Sequence, residues 1–176
     1  MPAVQALPLF IFPVLVIVAA LKDATSFTIP NWLNATLFAA FFIAAPAAGA
    51  SLGLIGVNLG VAACGLVAGM AMFALGWIGG GDAKLFAAVS LWLGWPAVIN
   101  FLVGATLAGG VLALLLLAVR TPLARAHVPT FGGWVDRLTT PGEPAPYGVA
   151  IACGALAAFP ACGLAQLAHL AMPFGR

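Results

Sequence analysis

Charge is nearly missing from this chain, and where it does occur it comes in short clusters between long apolar stretches. Ten of the 176 residues are Lys, Arg, Asp or Glu, 6% of the total, while 64% are hydrophobic. An ordinary soluble domain carries about 25% charged residues and roughly 45–50% apolar ones. Ten charged side chains cannot cover the surface of a soluble globule of this length. Disorder is excluded as well, since it requires low hydrophobicity and high charge. Lipid is therefore the solvent for most of the chain. The net charge of +2 is too small, and its six basic residues too widely spread along the chain, for nucleic-acid binding. Cys64, Cys153 and Cys162 form no even set and no C-x-x-C pair, which argues against a disulfide framework or a zinc site.

A helical span needs about 20 largely apolar residues. Six candidates follow: residues 2–21, 33–49, 53–78, 83–94, 97–119 and 147–171. The expectation is an all-α, polytopic membrane protein of about six transmembrane helices, forming one domain over residues 1–176. Residues 2–21 lack a basic leading region and a clean cleavage site, so they read as a retained first span, kinked by Pro8 and Pro13. Gly94-Trp95-Pro96 marks a turn. With six spans, the segments after the first, third and fifth share one side. They hold Lys22, Lys84, Arg120, Arg125 and Arg137 together with all four acids, and only Arg176 falls opposite. Positive residues mark the cytoplasmic side, which puts the N-terminus outside and a loop over 120–146 inside.

Small residues four apart (Gly56 and Gly60, Gly65 and Gly69, Gly104 and Ala108) predict close helix packing. The cysteines read as small buried apolar groups. The five tryptophans (Trp32, Trp77, Trp92, Trp95, Trp134) mostly fall near span ends, as interfacial anchors do. His127 and His169 fall on opposite sides in this topology, so they share no metal or proton relay.

The acids are few enough to weigh singly. Asp23 sits where the first span ends, and Asp82 follows Gly79-Gly80-Gly81 at the start of the fourth. One reading leaves both at the interface, with Asp82 capping a helix and Asp23 solvated. The other uses the three glycines, which let backbone approach a substrate closely. Two carboxylates brought within a few ångströms cannot both ionise. One then activates water as a general base, and the other keeps its proton to polarise a scissile carbonyl. Lys22 and Lys84 flank the pair and could support the charged carboxylate, although lysines at span ends ordinarily snorkel to headgroups. Asp136 and Glu143 read as solvated loop residues. Tyr147, the only tyrosine, opens the last span at an interface.

Gly79-Gly80-Gly81-Asp82-Ala83-Lys84 resembles the G-x-G-D-x-K motif of the type IV prepilin peptidases, the GxGD class of membrane aspartic proteases. Asp23, six residues before Ile29-Pro30-Asn31, is similar to that family's first catalytic segment. Pro146-Tyr147-Gly148 resembles a stretch of its small members that serve tight-adherence (Flp) pili. The resemblance covers essentially the whole chain. It implies catalytic roles for Asp23 and Asp82, with motif or substrate support from Gly79, Gly81, Lys84, Pro30, Asn31 and Tyr147. It also implies a prepilin substrate, no metal or other cofactor, and a site facing the cytoplasm at the bacterial inner membrane. Two departures stand out. No basic residues follow Asp23 over 24–28, and the extra cysteine-paired domain of larger, N-methylating relatives is missing. The chain is thus expected to be a peptidase alone. The rival classes are a small ion- or proton-coupled transporter and a non-catalytic pilus-assembly protein. A carrier needs acids near the midplane, whereas these lie at span ends.

Overall fold

Proline decides where the first helix begins. The computed structural model describes residues 7–123 and 132–171. Within it, Pro8 lies in a 3-10 turn, Leu7–Phe10, that leads into α1, Ile11–Ser26. Pro13 falls in the first turn of α1, where a missing N–H breaks no helical bond, so the expected kink becomes a late start. At the other end α1 runs past Lys22, through Asp23, to Ser26. Residues 2–6 of the expected span lie outside the described residues.

The remaining elements among the described residues are also helical. They are α2 (Asn31–Ala47), α3 (Leu52–Ala74), α4 (Gly80–Leu93), α5 (Ala97–Val119), α6 (Trp134–Thr139), α7 (Tyr147–Ala158) and α8 (Gly163–Ala171). The fifth expected span matches α5 end to end. The last is broken by a 3-10 turn, Phe159–Ala161, at Pro160. Three stretches are long and apolar enough to cross a membrane: Leu52–Ala74, Ala97–Val119 and Tyr147–Leu167. Asn31–Ala47 is a shorter apolar helix.

Glycine sets how closely these helices approach. A Cβ on Gly154 of α7 would run into the backbone of Ala105 and Phe101 on α5, and one on Gly104 would lie 3.1 Å from Gly154 Cα. On α3, Gly65 and Gly69 do the same against Ser90 and Ala83 of α4. Gly56 and Gly60 do not fit the expectation: nothing lies within 4 Å of a Cβ at either, so that pair holds no helix.

Lipid as solvent also explains two corrections to the expected interior. Cys64 and Cys153 are exposed on the helix surfaces and only Cys162 is buried. An apolar side chain loses nothing by facing hydrocarbon, so hydrophobicity does not imply burial here. Trp92, conversely, is no interfacial anchor. It is fully buried, with ring centroids 5.2 Å from Phe12 and 5.9 Å from Phe41, and its indole N–H donates to Leu37 O at 2.8 Å. Asn58, the one strongly polar residue of the third expected span, donates to Leu91 O at 2.9 Å near the end of α4.

The charged clusters meet at one end of the bundle. Arg120, just past α5, donates through Nε to Leu138 O at 2.9 Å and through Nη2 to Pro144 O at 3.3 Å. Arg137 pairs with Glu143 at 3.3 Å and lies 4.5 Å over the Phe27 ring beyond α1. Glu143 is therefore ion-paired and not merely solvated. Arg125, His127 and Arg176 lie outside the described residues, as does the side chain of His169.

Candidate active site

Asp23 occupies the last full turn of α1. The helix stops just after it because Phe27 adopts a left-handed conformation (φ 56°) and its N–H closes onto Asp23 O at 2.8 Å. The carboxyl group is not solvated, contrary to the interfacial reading, since the residue is only 4% exposed. It reaches instead to the start of α7, where Oδ2 accepts the Gly148 N–H at 2.7 Å. The first N–H groups of a helix have no partner within it and carry its positive end, so they suit a carboxylate. A side chain at 148 would leave no room for this contact, because its Cβ would stand 2.8 Å from Asp23 Oδ2 and 2.9 Å from Ile29 Cδ1.

Asp82 is the third residue of α4. Its Oδ2 accepts the Gly79 N–H at 3.1 Å, the carboxylate half of a capping box. The cap reading thus holds geometrically, but the residue is 7% exposed and its Oδ1 is buried with no hydrogen-bond partner. Gly81 lies against Ile29, where an added Cβ would come within 3.1 Å of both Ile29 Cβ and Ile29 O. Ile29 therefore touches both aspartate-bearing segments, at Gly81 on one side and Gly148 on the other.

Pro30, in extended conformation, is the N-cap of α2. From the first turns of α2, Asn31 Oδ1 accepts from Lys84 Nζ at 2.7 Å and Asn34 Nδ2 donates to Gly81 O at 3.1 Å. Lys84 thus binds an amide and not a carboxylate, and Lys22 is exposed. Tyr147 begins α7 and, with Trp77 and Ile78, lines a cleft of about 700 Å³ between α3, α5 and α7.

Both carboxyl groups stand beyond the apolar runs, Asp23 after 2–21 and Asp82 before 83–94. Burial, and then the charge of Asp82, push Asp23 from its ordinary 3.8 up to about 7, against the Gly148 N–H that favours its ionised form. Burial likewise raises Asp82, opposed by the N–H groups of Gly79 and Gly148. The charge of one carboxylate thus bears on the other, and they titrate as a pair.

Of the residues singled out in the sequence, Asp23, Asp82, Gly79, Gly81, Pro30, Asn31 and Lys84 gather here, with Tyr147 next to Gly148. Sequence reasoning gave no role to Ile29, Asn34 or the Gly148 peptide. Asn34 did leave a signal, an amide three residues after Asn31 in an otherwise apolar stretch. Among the described residues no three His, Cys, Asp or Glu side chains converge to hold a metal.

A family model described as the type IV leader peptidase family matches residues 10–114, more than half of the chain. The match takes in both aspartates and the α2 start but ends before Gly148. No curated protein and no solved structure matches the chain.

Proposed function

Because the chain belongs to the type IV leader peptidase family, we propose that it is a membrane aspartic endopeptidase that removes the leader from a prepilin, with Asp23 and Asp82 as its catalytic pair. The observation that carries this reading is the approach of two buried carboxylates, near enough for the charge of Asp82 to raise Asp23, with Asp23 held by the N–H of Gly148 and Asp82 by that of Gly79. Asp82, held by the Gly79 N–H and with Oδ1 free to accept, is the general base. Asp23, raised to about 7, keeps the proton. Asp82 takes a proton from water as its oxygen attacks the scissile carbonyl carbon, and Asp23 protonates the carbonyl oxygen. The tetrahedral intermediate collapses with return of the Asp82 proton to the leaving nitrogen, while Asp23 recovers its own from the intermediate's hydroxyl.

The chain is one peptidase domain with six spans, of which 2–21, 33–49 and 83–94 are the shorter or less regular. Its N-terminus is outside, and the dyad faces the cytoplasm of a bacterial inner membrane. Its substrate is a Flp-type precursor with a short basic leader, a glycine before the cut and then an apolar helix. The cleft at Tyr147 and Ile78, next in sequence to Gly148 and Gly79, gives such a helix a lateral approach from the bilayer. No N-methylation of the product accompanies cleavage.

Co-expression with a candidate prepilin tests the reading through the precursor's shift in mass. Asp23→Asn and Asp82→Asn, which keep the shape and an acceptor oxygen, each abolish the shift while the protein still inserts. A well-expressed Asp82→Asn protein that processes precursor at the wild-type rate rules the mechanism out. Chelators leave cleavage by the purified protein intact.

A further inference from the structure

We propose that Asn34 is a positioning residue that holds the turn bearing Asp82 in register with Asp23; the role rests on the two-aspartate reading above. Asp82 follows three successive glycines, residues 79–81, whose backbone is the most permissive a chain can have. The Gly79 N–H orients the Asp82 carboxylate within this segment, but that bond does not tie the segment to the rest of the bundle. The tie lies on α2. Asn34 Nδ2 donates to the carbonyl of Gly81, the residue before Asp82, at 3.1 Å and across 47 positions of sequence. Ile29, five residues earlier, abuts Gly81 and also Gly148, whose N–H holds Asp23. The start of α2 is therefore a bracket between the two carboxylate segments, and Asn34 is a polar anchor of that bracket on the Asp82 side. The Lys84–Asn31 bond joins the same two helices at an exposed position, where water competes for both groups.

Stability alone does not account for an asparagine here. Asn34 is 5% exposed and its Oδ1 is buried without a partner. An unpaired amide oxygen in apolar surroundings is unfavourable, and a leucine of similar size would pack with no such penalty. An amide that carries this penalty and places its N–H₂ on the peptide next to the proposed catalytic acid is explained by geometry at the dyad.

The test compares Asn34→Leu and Asn34→Ala with wild type in purified form, measuring kcat, KM, the pH dependence of kcat and the melting temperature. Asn34→Leu is expected to melt at or above wild type. Its kcat should fall roughly 10- to 100-fold, as for small displacements of catalytic groups. KM should stay within about threefold, since precursor binding is not altered, and the pH profile of kcat should move because the spacing of the two acids has changed. The same pattern in Asn34→Ala carries the test if Asn34→Leu fails to fold. A folded variant that cleaves within about twofold of wild type overturns the proposal, as does a rate loss that only follows a falling melting temperature with an unmoved pH profile. If wild type itself cleaves no precursor, the two-aspartate reading fails separately. The tether is then judged by infrared titration of the carboxyl C=O band: a displaced midpoint in Asn34→Leu supports it, and a coincident one overturns it.

Discussion

Gly148 and the acids around it make the most direct demands on single residues. A methyl group at 148 has to displace both the Asp23 carboxylate, 2.8 Å away, and the Ile29 side chain, 2.9 Å away. The first of these moves disrupts the 2.7 Å bond that holds Asp23. Gly148→Ala is therefore expected to lower kcat at least about 100-fold with little change in precursor binding, measured by single-turnover cleavage. The pH response follows from the raised Asp23. Between 3.8 and about 7 the folded protein holds a proton that the unfolded chain has released. That proton contributes stability at low pH, which is lost as pH rises through about 7. Melting curves at pH 4.5 and pH 8 should thus differ more for wild type than for Asp23→Asn, which has nothing to titrate there. Cleavage should fall off above about pH 7, as the dyad loses its shared proton. Equal pH slopes of melting in the two proteins would contradict the assigned proton.

At the scale of elements, one residue type behaves in two ways on different helices. Gly56 has open space around a Cβ, while Gly154 of α7 has the α5 backbone there. Gly56→Ala should leave the detergent-solubilised protein equally or more stable, by about 0.5–1 kcal/mol from helix propensity. Gly154→Ala should destabilise it markedly by forcing α5 and α7 apart. Sequence spacing cannot separate these cases, because four-residue spacing shows which residues share a face and not whether another helix lies on it. The same limit misplaced Cys64 and Cys153: with hydrocarbon outside and packed side chains inside, apolar character no longer reports burial. What could be read was whatever breaks the apolar pattern. α5 was legible end to end between a Pro and an Arg, and Asp23 and Asp82 stood out because acids are so rare in this chain. The link between those acids was not legible, since it runs through a backbone N–H at 148, an amide at 34 and the apolar Ile29. None of these announces a long-range partner.

For the whole molecule the decisive property is sidedness. Asp23 meets Gly148, Asn31 meets Lys84, Arg120 meets Pro144, and Arg137 lies over Phe27. These contacts tie together the end of α1, the starts of α2, α4 and α7, and the end of α5. The opposite end carries the neutral turn around Gly49 and the one at Gly94-Trp95-Pro96. The proposed orientation sets this charged end in the cytoplasm, since Lys and Arg resist translocation. In that proposal the two aspartates stand where a precursor's basic leader would remain while its apolar helix enters the bilayer. With Cys64, Cys153 and Cys162 replaced, a single cysteine at exposed position 141 should react with a membrane-impermeant thiol reagent only after the cells are opened. A cysteine at position 52, where Leu52 is 88% exposed at the far end of the bundle, should react in intact cells once the outer membrane is permeabilised. Labelling of position 141 from the periplasm would reverse the orientation, and with it the face on which any leader could be cut.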